Sequence, residues 1–242
     1  MATSYPYVSI LTPTYNRRKF FPILIHCVLH QKYPKEYIEW IILDDGDDKI
    51  EDLVIDIKQI KVRYYKENKK LTIGAKRNKL NQLATGDILI CFDDDDYHMP
   101  ERILISVIEI LKTSINIVGS STMYCYFTDI KQIYQLGPYG IYHATNGTLA
   151  YKKEYANTHK HVENKAHGEE QSFLNNFNEK LNQLDPFKTI LVLSHDSNTY
   201  DKNKLRELEL KKDESKCKIT KTNFKLKSFI KDKTIIDFYK SL

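Results

Sequence analysis

The hydrophobic pattern of the first hundred residues changes period repeatedly. "YVSILTP" crowds Val8, Ile10 and Leu11 into a run that reads as a strand over residues 8–12, stopped by Pro13. "KFFPILIHCVLHQ", residues 19–31, is mostly apolar with Pro22 near its start, as expected of a helix. "IEWIILD", residues 38–44, returns to strand character and runs into acid and glycine. "KIEDLVIDIK" is helix-like and "KVRYYKE" strand-like. "TIGAKRNKLNQLATG" places Ile73, Ala75, Leu80, Leu83 and Ala84 at helical spacing before a stop at Gly86. "DILICF", residues 87–92, is a fourth strand, after which Pro100 and Glu101 open a helix in "ERILISVIEILK", with the proline expected in its first position.

Strand–helix alternation of this kind predicts an α/β fold: a mostly parallel sheet covered by helices on both faces. Ligands bind such sheets beyond the carboxyl ends of the strands. Three polar clusters fall there: "PTYNRR" after the first strand, "DDGDD" after the second and "DDDD" after the fourth. Adjacent carboxylates repel one another unless a cation or hydrogen-bond donors compensate, so Asp93, Asp94, Asp95 and Asp96 at a strand end point to a metal or a solvated loop.

Charge sharpens the division of the chain. The net charge is +5, yet residues 202–242 hold 13 Lys and Arg against 6 Asp and Glu, which leaves residues 1–201 slightly acidic. Nucleic acid is therefore not the expected partner. The reading is a catalytic domain over 1–201, with a nucleotide-binding half (1–100) and an acceptor half (101–201), followed by a basic helical extension over 202–242. The extension's positive face is read as solvated, with contact to a membrane surface or to a second copy of the chain, as in a homodimer, left open. No run approaches the roughly 20 apolar residues of a membrane span, and no basic-then-apolar leader opens the chain. Cys27, Cys91, Cys125 and Cys217 show no CxxC spacing, which suits a reducing, cytoplasmic compartment.

Hard oxygen ligands from Asp93 and Asp95 match Mn²⁺ or Mg²⁺, whose remaining positions water and phosphate oxygens fill. The acids after the second strand can accept hydrogen bonds from a nucleoside, and Lys76 with Arg77 can meet a diphosphate. Neither G-x-G-x-x-G after the first strand nor a P-loop is present, and "DDDDYHMP" lacks the EF-hand glycine and terminal glutamate.

"VSILTPTYNR", "IILDDGDD", "IGAKRNKLNQLATGDILICFDDDDYHMPERI" and "GEEQSFL" together resemble glycosyltransferase family 2, the nucleotide-sugar-dependent transferases of the GT-A fold, over about residues 7–195. The wording and the Asn, Lys and Tyr richness of the later segments are also similar to glycosyltransferases of large DNA viruses. The resemblance implies an inverting transfer from a UDP-sugar to an unidentified glycan, protein or lipid acceptor. Pro13 and Tyr15 would touch the nucleoside, Asp45 the base, and Arg77 the base and diphosphate. Asp93 would face the ribose or a metal-bound water, and Asp95 would ligate the metal. The family's late histidine would correspond to His195 as a third ligand. Asp94 is counted with the nucleotide-sugar-binding residues but occupies the variable position of the motif; if the strand geometry continues past Phe92 it points away from the cleft while Asp93 and Asp95 point in, and Asp96 supports the loop through backbone hydrogen bonds. The family's base is the second acid of a pair at a helix start, which selects Glu170 with Glu169 as the fallback; the helix dipole is expected to lower its pKa. His143, Thr145 and Asn146 would contact the acceptor, and His98 and His167, beside the acidic motifs, read as structural or acceptor-contacting. Two other functions share these features: a nucleotidylyltransferase, which would want a glycine-rich basic loop where this chain has "TPTYNRR", and an inactive nucleotide- or sugar-binding module.

Overall fold

The structure is a computed structural model that describes residues 5–165, 168–196, 198, 202–210 and 218–242, with side chains left out at 208–210. The strands β1 (Val8–Thr14), β2 (Ile38–Asp44), β3 (Lys61–Lys66) and β4 (Ile88–Cys91) lie parallel in the order β3-β2-β1-β4. Between them come helices α1 (Phe21–Leu29), α2 (Glu51–Val54) and α3 (Ile73–Leu83). β1 does not stop at Pro13. Both flanking strands are parallel to it, and Pro13 and Thr14 stay in register with Leu43 and Asp44, so the first polar loop begins two residues later than the sequence suggested. Pro22 sits in the first turn of α1 as expected. The helix predicted at "KIEDLVIDIK" contracts to the four residues of α2.

Successive residues of β1 and β2 divide the core between the two faces of the sheet. Val8 and Ile10 of β1 and Trp40 and Ile42 of β2 pack on one face, Leu11, Ile41 and Leu43 on the other. α3 covers the second face, and its packing is unusual because the side chains it buries include Lys76, Arg77, Asn78 and Asn81. Asn78 bonds the His161 backbone at both ends of its amide, and Tyr151 donates to Asn81 at 2.7 Å, so the helix is held by hydrogen bonds where others rely on leucine. Thr72 caps it, accepting from the Ala75 N–H.

Past β4 the chain forms a short β5 (Tyr97–His98) and α4 (Arg102–Lys112). α4 begins with Glu101 as its N-cap, so Pro100 precedes the helix and is not its first residue. β6 (Ile117–Gly119), β7 (Met123–Phe127), β8 (Gln132–Leu136) and β9 (Ala150–Lys152) follow, then α5 (Lys153–Thr158), α6 (Glu170–Phe173), β10 (Asn182–Gln183) and β11 (Ile190–Ser194). β9 pairs antiparallel with both β4 and β6, and β10 parallel with β6, which extends the first sheet to seven strands. The sheet is thus mixed.

A second sheet of five strands is not apparent from the sequence. Its order is β12-β8-β7-β11-β5, where β12 (Ile219–Lys221) comes from the basic segment, which also supplies α7 (Asn203–Leu210) and α8 (Lys233–Ser241). β12 pairs antiparallel with β8, and Leu226, Phe229, Ile230, Ile235 and Tyr239 pack against Phe20, Tyr97, Tyr124 and Leu191. The lysines of residues 218–242 face outward. Because Ile230 is fully buried there, Ile230→Ala should lower the unfolding free energy by about 2–5 kcal/mol; chemical denaturation measures it, and an unchanged midpoint would mean the segment is not integral to the core. Among the described residues no helix is long and apolar enough to cross a membrane.

Candidate active site

The carboxyl edge of β1, β2 and β4 gathers the three polar clusters, and one side chain ties the first two together. Asn16, at a φ of 54°, accepts from the backbone N–H groups of Asp47 and Asp48 at 2.7 and 3.0 Å. Gly46 makes this possible, since a Cβ there would stand 2.5 Å from the Asn16 nitrogen. Asp44 accepts from Tyr64 and from the Gly46 and Ile50 backbone, and Asp48 pairs with Arg18. Much of "DDGDD" therefore builds the loop. Asp45 has both oxygens engaged, by Lys76 Nζ and the Leu71 N–H, each at 2.7 Å, and it lies behind the cleft lining.

Two clefts open at this edge. The first, about 760 Å³, is lined by Pro13, Tyr15, Arg17, Lys76, Arg77 and Asp93 to Asp95, among others. Tyr15 forms one wall, with Lys70 Nζ 4.0 Å above its ring. The second, about 490 Å³, contains His143, Thr145, Asn146, Asp96, Glu170 and a group of aliphatic residues. Asp93, Asp95, Glu169 and Lys202 line both, so the two clefts share one wall.

Arg77 organises that wall. It is buried, and donates from Nε to Glu169 at 2.7 Å and from Nη1 to Asp93 at 3.0 Å. With its amide oxygen turned toward Arg77, Asn146 accepts from Nη1 at 2.7 Å and donates to His161. Gly147 lies against the far side of Asp93, where a Cβ would come within 2.8 Å of Oδ2. His98 contacts the Asp93 carbonyl at 2.9 Å and stacks on Phe92; burial pushes its pKa down to about 4, so it supports the loop as a neutral ring.

The acidic run does not keep strand geometry. β4 ends at Cys91 and a turn begins at Asp94, so Asp94 lines the first cleft beside Asp93 and Asp95 and does not point away. Asp96 is the residue that turns back, accepting from the Leu193 N–H at 3.0 Å. His195 Nε2 lies 3.0 Å from Asp95 Oδ2, and Asn198 donates to the same oxygen at 3.0 Å. Burial pushes Asp95 up, but His195, Lys202 and Arg17 outweigh it and hold the carboxyl at about 2. Asp94 is pushed to about 8, by burial first and then by Asp95.

These side chains fit a hard divalent cation. They are oxygen donors, and one of the two adjacent buried carboxyls is driven toward protonation, an excess of acid that a cation would relieve. Among the described residues no three His, Cys, Asp or Glu side chains form a closed cage. A bound ion would thus take several ligands from water and phosphate, which is the habit of Mg²⁺ and Mn²⁺. The structure brings His195 to Asp95, but hands Asp93 to Arg77.

Glu169 and Glu170 differ sharply. Glu169 is buried and paired with Arg77. Glu170 opens α6 on the second cleft, with no ion-pair partner among the described residues. Its pKa is raised to about 7, by burial and then by Glu169, against the lowering expected from a helix dipole. α6 has only four residues, too short for a dipole that outweighs burial. His167 lies outside the described residues. Lys202 and Leu205, which line the clefts from the basic segment, were not expected at the site, because that segment reads as packed amphipathic helices with Leu205 among the packing residues and the lysines on a solvated face.

The chain matches Glycosyl transferase family 2 over residues 9–208. It belongs to that family. A teichuronic acid biosynthesis glycosyltransferase by name, TuaG of Bacillus subtilis (strain 168), is 34% identical over 96 residues, which are 38% of this chain and 36% of TuaG. The S. aureus TarS 1-349 structure in complex with UDP-GlcNAc is similar at a TM-score of 0.65 and 18% identity, covering 79% of this chain and 60% of TarS. The mannosyltransferase PcManGT of Pyrobaculum calidifontis, in complex with GDP-Man and Mn²⁺, gives 0.66 and 13%, covering 86% and 62%. The fold of this family 2 member is GT-A, and the chain spans less than two thirds of the length of these relatives.

Proposed function

We propose that this family 2 protein is a metal-dependent inverting glycosyltransferase that moves a sugar from a UDP-sugar to an acceptor hydroxyl. The observation that carries the reading is the shared wall: donor and acceptor clefts meet at Asp93, Asp95, Glu169 and Lys202, and Glu170 stands on the acceptor side. Relatives of the same fold were solved with UDP-GlcNAc and with GDP-Man and Mn²⁺, which supports a nucleotide-sugar donor.

In this mechanism the nucleoside lies along Pro13 and Tyr15. Asp45 acts on the base through the position of Lys76 and the Leu71 backbone, to which it is bonded. Asp95, with His195 beside it, and the Asp93 oxygen not bonded to Arg77 would hold Mn²⁺ or Mg²⁺, which when bound supplies Lewis acidity toward the departing diphosphate. Arg17 and Lys202 add positive charge at the same place. Glu170 takes the proton of the acceptor hydroxyl as its oxygen attacks the anomeric carbon from the face opposite the diphosphate; the bond to the diphosphate breaks and the configuration inverts. Arg77 keeps Asp93 and Glu169 in place across the wall.

Incubation with UDP- and GDP-sugars and Mn²⁺ should release nucleoside diphosphate, UDP fastest; absence of release and of nucleotide binding across the panel would remove the assignment. A base near pKa 7 must be ionised to work, so kcat/KM should climb about tenfold per pH unit below 7 and level off above it. A profile flat from pH 5 to 8 would exclude Glu170 as the base.

A further inference from the structure

The second cleft is lined by two kinds of chemistry. Its lining includes the acids Asp93, Asp95, Asp96, Glu169 and Glu170 and the apolar side chains of Met123, Leu136, Ile190, Val192 and Leu205, together with Tyr139. Lys202 is the one cationic side chain among its described lining residues. His143, the remaining basic group, is held by burial at about 4 and is neutral near pH 7. Its ring lies 4.9 Å from that of Tyr139 and stacks at 4.5 Å on Phe177, which together make an aromatic ledge.

Both kinds select. Arg77 offsets Asp93 and Glu169, and His195 and Arg17 approach Asp95, which leaves Glu170 as a lining acid with no ion-pair partner among the described residues. A carboxylate or phosphate on the acceptor is disfavoured by like charge beside it. The aliphatic lining, in turn, gains by covering apolar area and offers no hydrogen bond to a hydroxyl-rich face. At about 490 Å³ the cleft holds more than a single small polar group.

We propose that the acceptor is an uncharged glycoside whose sugar gives its reacting hydroxyl to Glu170 and whose apolar aglycone lies against Val192 and Leu205. The inference rests on the transferase reading of the same site. The new bond joins the acceptor oxygen to the anomeric carbon, the carbon–oxygen bond to the diphosphate breaks, the proton passes to Glu170, and the nucleoside diphosphate carries away the electron pair.

The test is ligand-observed NMR on the full chain loaded with UDP and Mg²⁺. The probes are octyl and methyl glycosides of glucose, galactose, mannose and N-acetylglucosamine, with glucuronic acid and glycerol phosphate as anionic probes. At least one octyl glycoside should bind ten times or more tighter than its methyl counterpart, and both anionic probes more weakly than either. Leu205→Ser, at a partly exposed position of α7, should weaken the octyl glycoside roughly tenfold, and Tyr139→Ala should weaken both forms; UDP binding by each variant reports that the donor cleft is intact. Tighter binding of an anionic probe, equal binding of octyl and methyl forms, or binding of no neutral glycoside while UDP still binds overturns the proposal. Failure to bind UDP at all strikes the transferase reading instead.

Discussion

Glu170→Gln should bind UDP-sugar as the wild type does and turn it over some 10²–10⁴-fold more slowly, the span that a positioned general base supplies. Glutamine keeps the shape and loses the basicity, so the loss should fall on kcat. The variant should also be the more stable protein at alkaline pH. The pKa of Glu170 in the fold lies above its ordinary 4.5, so burial favours the protonated form; the fold keeps its full stability below about 4.5 and loses some of it as pH rises toward 7. Glutamine stays neutral throughout and escapes that loss. Isothermal calorimetry for UDP-sugar, a coupled assay of UDP release and thermal melts at pH 5 and 8 separate these effects. Near-normal turnover would shift the base elsewhere; its nearest neighbour, Glu169, is tied to Arg77.

Asp95→Ala should abolish the part of UDP binding that depends on Mn²⁺ and reduce turnover by at least 10², as expected when a group stabilising the leaving charge is lost. Asp95 is the acid that His195, Asn198 and Arg17 all approach, and the one held most firmly ionised. Asp94→Asn should do less, because His195 and Asn198 approach Asp95 and the amide keeps the size of the carboxyl at Asp94. Titrating UDP into each variant with and without Mn²⁺ decides the matter. Equal, metal-independent binding by wild type and Asp95→Ala would remove Asp95 from the metal site.

The first half of the fold was legible because β1, β2 and β4 are buried along their whole length and the polar residues gather where they end; β2 falls on residues 38–44 as read. The run of four acids was legible as a site but not as a geometry, since alternation fails where β4 gives way to a turn. Glu170 was legible by its place next to Glu169, while its pKa went the other way because a four-residue helix has little dipole to set against burial. The second sheet hides behind strands of two to five residues whose aromatic runs, such as "MYCYF", carry no alternation. Lys202 and Leu205 come from a stretch whose composition says only that it is basic. Periodicity shows which face a residue takes, and it is silent about which distant loop that face meets.

The wall common to the two clefts sets how such a protein can be altered. In the proposed transferase, substitutions in Asp93, Asp95, Glu169 or Lys202 should disturb both substrates together, so kinetic constants for one cannot be tuned there alone. The outer walls are separate: Tyr15 and Lys70 border only the nucleotide side, Val192 and Leu205 only the other. New donor and acceptor preferences could therefore be introduced in parallel libraries and combined afterwards, their effects adding because no residue is shared between them.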